Sequence, residues 1–285
     1  YMLSKLYHLI LFQILWIISI IPLRLLYIKS FLISNIFFYR KNIIRSNINS
    51  AFNKTSKQGK RKIYYNFRRY FINLILEIVK MISADKNFYK RRIKINNLSI
   101  LDEYYDKKQS IILMMGHHNN WEWAGQIISI RSKQKFVSVY KKLSNLFFDN
   151  LMSKIRERNG TKVIEMNDII KYLYEDKECK IIGLIADQNP VVNNNTQWID
   201  FFNQNVPVIN GPEKIARKMN FPVLFCNMKK INDGYYDITL EHIHDNPKFS
   251  DQGDITKKFF KRLEKQINDD PNNYLWSHNR WKHKK

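Results

Sequence analysis

Cysteine is nearly missing from this 285-residue chain, which carries only Cys179 and Cys226. Two thiols in no metal-ligand spacing exclude a disulfide framework and point to buried, reduced side chains in a cytoplasmic setting. No glycine-rich nucleotide-binding loop, internal repeat or low-complexity linker is present, which removes dinucleotide-binding and solenoid readings. Acidic residues are scarce as well, 25 Asp and Glu against 48 Lys and Arg, for a net charge of +23. That excess selects anionic partners: nucleic acid, anionic lipid headgroups or an acidic carrier protein. Apolar residues, by contrast, are plentiful, and a composition 45% hydrophobic and 14% aromatic supplies the core of one large α/β domain or two small ones.

Residues 9–21 are apolar apart from Gln13 and Ser19, and the run closes at Pro22 and Arg24. It is shorter than the ~20 residues of a straight membrane span, and no small-residue cleavage site follows it. An uncleaved anchor that spans or lies in the membrane is therefore expected over residues 1–30, with a catalytic domain over 31–285. Arg40, Lys41 and Arg45 suit a cytoplasmic surface facing anionic lipid. Further on, Phe67, Tyr70, Phe71, Leu74, Ile75, Ile78, Val79 and Ile82 recur at three and four, which predicts an amphipathic helix with Arg68, Arg69, Glu77 and Lys80 on its other faces.

Continuous apolar runs at 111–115 and 181–186, with an alternating one at 136–140, read as buried strands separated by helical patterns. This predicts an α/β fold with a mostly parallel central sheet flanked by helices. A helix is expected from about 145 to 158, another from Gly211-Pro212, a strand pair at 222–227 and 236–243, and a terminal helix carrying Ile255, Phe259, Phe260, Leu263 and Ile267. In such sheets function collects at the carboxyl ends of the strands, where His117 and Asp187 fall.

The centre of the chain is Gly-His-His-Asn-Asn-Trp-Glu-Trp at 116–123. On one continuous helix, His117 and Glu122 would diverge by ~140°. They meet more easily if His117 ends a strand and Glu122 lies in the first turn of the next helix, with Asn119 or Asn120 as N-cap. Glu122 is then expected to hold one ring nitrogen of His117 and leave the other as a general base. A metal-dependent hydrolase using His117, His118, Glu122 and Asp187 is the weaker reading, because adjacent histidines rarely point to one metal. A basic nucleic-acid-binding module fits the charge but has no recognisable binding motif, and the apolar anchor argues against it. Trp121, Trp123, Trp198, Phe201 and Phe202 either line a ligand tunnel or belong to the core.

Taken in order, 116–123, Ala-Asp-Gln-Asn-Pro at 186–190, Trp198 with Phe201 and Phe202, Gly211-Pro212, and Tyr-Leu-Trp-Ser-His-Asn-Arg-Trp at 274–281 resemble the bacterial lipid A late acyltransferases of the lysophospholipid acyltransferase superfamily. The resemblance implies a glycerolipid-acyltransferase-like fold with an N-terminal anchor, on the cytoplasmic face of the inner membrane. It implies transfer of a fatty acyl chain from acyl carrier protein to a hydroxyl of an anionic lipid A precursor, with no cofactor and no metal. Another lysophospholipid or an amino-acid-containing lipid remains an alternative acceptor. His117, Glu122, Arg156 and Asp187 are the implied catalytic set, with Arg156 stabilising an oxyanion and Asp187 orienting Arg156 or the acceptor. Lys141, Asn120, Trp121 and Gln188 are expected to contact substrate, and a tunnel lined by the five aromatic residues would hold the acyl chain. Where the family has Tyr-Arg-Pro this chain has Tyr140-Lys141-Lys142; lysine keeps the charge without the bidentate fork.

Overall fold

A computed structural model of the chain describes residues 2–36 and 39–283. Its first half contains α1 (Met2–Ile20), α2 (Leu23–Ile36), α3 (Lys41–Ala51), α4 (Lys57–Lys80), α5 (Lys86–Arg92), β1 (Ile93–Ile95), α6 (Ser99–Asp106), β2 (Ile111–Met115), α7 (Trp121–Arg131) and β3 (Lys135–Tyr140). There follow α8 (Leu146–Glu157), β4 (Lys162–Glu165), α9 (Ile169–Glu175), β5 (Lys180–Ile185), β6 (Gln197–Asp200), β7 (Asn205–Val208), α10 (Gly211–Met219), β8 (Val223–Asn232), β9 (Tyr235–His244) and α11 (Asp254–Asp269).

Seven strands form one sheet in the order β1-β9-β8-β2-β5-β3-β4. From β8 to β4 the neighbours are parallel; β9 turns back against β8, and β1 follows β9. The apolar run of β2 is buried on both faces, since Ile112 and Met114 enter one core layer while Ile111, Leu113 and Met115 enter the other. A continuous apolar segment is what a central parallel strand covered by helices requires. Short β6 and β7 make a separate antiparallel pair, a feature the sequence pattern does not announce.

The N-terminal run is two helices, not one. The segments 5–20 and 23–34 are bent by 112° at Pro22, and among the described residues no single helix is long and apolar enough to cross a membrane, although the bent pair passes by length and composition. Neither helix hangs free: Leu23, Leu26 and Tyr27 of α2 are buried with the core layer that contains Met81 and Tyr89, and Ser30 donates to Asn73 of α4 at 2.5 Å. Helix α4 departs from its expected face pattern in a telling way. Arg68 and Glu77, expected to point outward, are buried, while Ile75 is exposed. Helical period predicts one dry stripe; α4 is dry on more than one because α1, α2, α3 and the turn at 271–273 all pack on it.

Candidate active site

Strand β2 ends at Met115 and hands the chain to a loop, 116–120, at the carboxyl edge of the sheet. Gly116 is needed there, since a Cβ would come within 2.5 Å of the Leu263 side chain. Asn119 follows with φ of 57°, the left-handed region that asparagine tolerates better than most residues. Hydrogen bonds to its backbone then pin the loop: Asn119 N donates to Asn273 O at 2.8 Å, Leu275 N to His117 O at 2.9 Å, and the Tyr70 hydroxyl to Asn119 O at 2.7 Å. Thus the 274–281 motif helps to hold the backbone of the histidine loop. Asn120 caps α7 by accepting from Trp123 N at 2.9 Å, which sets Glu122 in the first turn, where an anion suits the helix dipole.

His117 does stand at the strand end, but its partner is not Glu122. Parallel pairing of β2 with β5 places Met115 beside Ile185, so the two strands deliver His117 and Asp187 to one edge. His117 Nδ1 lies 2.5 Å from Asp187 Oδ1, and the His117 backbone N–H donates to Oδ2 at 3.0 Å. Burial pushes the Asp187 carboxyl up, but the charge and hydrogen bonds of His117, with the nearby Arg280, outweigh it and bring the pKa down to about 2. A carboxylate bound this way receives Nδ1–H and leaves Nε2 as the lone-pair nitrogen. Nε2 lies 3.3 Å from Gln188 Nε2, and the edge of Trp121 packs on the imidazole with centroids 4.7 Å apart.

Glu122 instead takes Arg156 in a two-pronged pair, Nε to Oε2 at 2.8 Å and Nη2 to Oε1 at 2.5 Å. Burial raises the Glu122 pKa, but Arg156 more than compensates and the net direction is down. The fork ties α7 to α8, and Gln126 Nε2 on Arg156 O at 2.9 Å reinforces it. Asp187 therefore orients the histidine rather than Arg156. The expected Glu122–His117 bond is replaced because an arginine fork matches both carboxylate oxygens at once, whereas an imidazole reaches only one.

His117, Trp121, Glu122, Lys141, Arg156 and Gln188 all line one cavity of about 960 Å³ between the sheet and helices α7 and α8. Its deep wall is apolar. Gly125 and Gly183 leave room there for the Phe136 ring, whose Cζ sits 2.6 Å from where a Gly183 Cβ would be. Around the mouth, Lys141 and Lys142 are exposed beside Leu143, Met166 and Val191. Asn120, expected to contact substrate, is fully buried; its amide spends itself on the cap and on Glu77. Of the five aromatic residues considered as tunnel lining, Trp121 alone lines this cavity; Trp123, Phe201 and Phe202 are core, and Trp198 borders a separate depression with α11 lysines.

His118 is accounted for by hydrogen bonding. Its Nε2 donates to Asp270 O and its Nδ1 accepts from Asn119 Nδ2, both at 2.8 Å. Sequence reasoning missed Arg280 and His278 as supports of the site. Arg280 Nη1 donates to Asn189 Oδ1 at 2.6 Å and to Pro207 O at 3.0 Å, and Asn189 N donates to His278 Nε2 at 3.2 Å. These bonds fix the loop that carries Asp187 and Gln188. The only signal for them is their place in the 274–281 motif.

The geometry thus offers an oriented base, a half-buried cation and an amphipathic cavity, the parts needed to deprotonate a hydroxyl beside a bound chain. A family model described as bacterial lipid A biosynthesis acyltransferase matches residues 2–283. No curated protein matches the chain.

Proposed function

The chain belongs to the bacterial lipid A biosynthesis acyltransferase family and is an acyltransferase, and from that premise we propose that it carries a fatty acyl group from acyl carrier protein to a hydroxyl of a lipid A precursor. The observation that carries this reading is the Asp187–His117 pair at the head of a cavity whose wall is apolar and whose mouth is cationic. In the proposed step, His117 Nε2 removes the proton of the acceptor hydroxyl as its oxygen attacks the thioester carbonyl carbon. The new C–O bond forms, the C–S bond breaks, and the imidazolium returns its proton to the departing thiolate. That thiol, with a pKa of roughly 8.5 if it behaves as a free cysteine, leaves readily. Arg156 faces the developing oxyanion with the nitrogen outside its fork to Glu122; one such donor contributes about 2.7–4 kcal/mol. Gln188 and Trp121 hold the base and the acceptor, and Lys141 meets an anionic group of carrier or lipid.

Several exposed apolar side chains support a membrane-apposed reading. Leu143 is 45% exposed and Val191 is 88% exposed at the cavity rim; three residues beyond Leu143, Leu146 is 64% exposed, and Phe147 stacks on His8 of α1 at 4.9 Å. The rim thereby continues into the apolar surface of α1 and α2. Family membership suggests the inner membrane; the apolar rim supports contact with it, and the carrier-protein donor of the proposed reaction puts the site on the cytoplasmic face, with residues 1–30 serving as anchor and docking element together.

The test is reconstitution in vesicles with acyl carrier thioester and a lipid A precursor, read by mass spectrometry. One added acyl chain per acceptor is expected; transfer to another lysophospholipid and none to the precursor overturns the substrate assignment. A second expectation concerns Phe136, the floor of the apolar wall. Phe136→Ala should move the preferred donor to longer chains, each newly accommodated methylene changing kcat/KM by roughly 10- to 200-fold. A competition assay over a chain-length series measures it, and an unchanged preference places the acyl chain elsewhere.

A further inference from the structure

Glu77 is a carboxylate on α4, 1% exposed, that takes no part in the proposed chemistry. Three donors from distant parts of the chain converge on it. Tyr27 of α2 donates to Oε1 at 2.6 Å, Asn120 Nδ2 to Oε2 at 2.7 Å, and Tyr236 of β9 to Oε2 at 2.8 Å. Trp123 Nε1, from the first turn of α7, donates to the Glu77 carbonyl at 3.0 Å. A buried carboxylate carries a desolvation penalty and is more costly than an apolar residue unless it is fully satisfied. Here it is met by three side chains that otherwise lack an acceptor among the hydrogen bonds of the described residues, Tyr27 and Tyr236 through their hydroxyls and Asn120 through its amide donor.

Asn120 is the important recipient. It lies three residues after His117 and two before Glu122. Its Oδ1 must face Trp123 N for the cap to form, and the Glu77 bond to Nδ2 fixes the amide in that sense. We propose that Glu77 is a positioning residue of the transfer reaction: through Asn120 it sets the first turn of α7, hence Trp121 against His117 and Glu122 against Arg156, and through Tyr27 it joins that turn to the docked helix α2. The inference rests on the acyltransferase reading for its kinetic readout.

A small misplacement of reacting groups costs rate without removing binding. Glu77→Leu is therefore expected to lower kcat by roughly ten- to a hundredfold with KM for the acyl thioester nearly unchanged. Glu77→Gln should restore most of the rate, because its oxygen still accepts from Asn120 and Tyr236; the loss of an acceptor for the Tyr27 hydroxyl falls on stability at α2 rather than on the first turn of α7. Asn120→Ser separates capping from the link: serine is a strong N-cap but too short to reach Glu77. Because it keeps the cap, it is the variant to read should Glu77→Leu fail to fold; its kcat should fall by the same roughly ten- to a hundredfold, with no further loss in the double variant. Wild-type kcat in Asn120→Ser, measured well below its Tm, overturns the proposal, as does an additive double variant or a Glu77→Gln enzyme no better than Glu77→Leu. Should the wild-type protein transfer no acyl group, the functional reading itself fails. The joint is then judged by amide hydrogen exchange at 121–123, which must quicken in Asn120→Ser if Glu77 holds that turn.

Discussion

His117→Ala is expected to cut acyl transfer by about 10²- to 10⁴-fold, the share that a positioned general base supplies. The loss should appear in kcat. The imidazole is 14% exposed on the cavity wall, and the loop bonds from His117 run through its backbone N and O, so the substitution leaves the chain path intact. Asp187 keeps the His117 backbone N–H after the ring has gone. The Tm should fall somewhat, because the buried Asp187 carboxylate loses the ring that pairs with it, but turnover measured well below that Tm should collapse. Steady-state transfer with saturating donor is the measurement, repeated with wild-type enzyme under chelation. Retention of near wild-type turnover by the alanine variant removes His117 from the chemistry, and loss of wild-type activity to the chelator revives a metal-dependent reading.

The second large effect is expected at Asp187, and it tests the changed partnership. In Asp187→Asn the side-chain oxygen is retained by the His117 backbone N–H, which bonds Oδ2 at 3.0 Å. The amide NH₂ then faces Nδ1, 2.5 Å away in the native pair, and can only donate. Nδ1 must become the acceptor, the ring proton moves to Nε2, and the base is lost by tautomer. In a Ser-His-Asp triad the same exchange lowers kcat by about 10⁴, and a comparable fall is expected here. Glu122→Gln leaves the tautomer alone and should damage the rate less, through Arg156. The reverse ranking would restore Glu122 as the orienting group. The acid limb has a definite sign: a carboxyl held at about 2, below its ordinary value near 3.9, contributes stability above pH ~4 that is lost as pH falls through the folded value. The stability gap between wild type and Asp187→Asn should accordingly narrow below pH ~4 in denaturation series.

Much of this arrangement is legible in the chain alone. The strands at 111–115, 136–140 and 181–186, a cap at Asn119 or Asn120 and the placement of Glu122 in a first helical turn follow from local pattern, and the structure has them, with Asn120 as the cap. Exchange of partners between Glu122 and Asp187 was not legible, because it depends on β2 lying beside β5, a pairing of residues 70 positions apart. Glu77 was hidden for a related reason. Helical period assigns it to an outer face, and only the simultaneous arrival of Tyr27, Asn120 and Tyr236 makes that face an interior. The N-terminal run read as one anchor because apolar composition carries no record of the bend at Pro22.

The edge strand β1 has a consequence for how the chain reaches its native state. Ile93 pairs with Tyr236, and the same Tyr236 completes the ring of donors around Glu77. A chain emerging from the ribosome makes α1, α2, α4 and β1 long before β9 exists. The N-terminal helices can pack on α4 as soon as they are made, but the edge of β1 and the Glu77 carboxylate wait for Tyr236 until the far end of the sheet is translated. Such high-separation pairing slows folding, and it makes the burial of Glu77 on α4 depend on one of the last strands of the sheet to be translated.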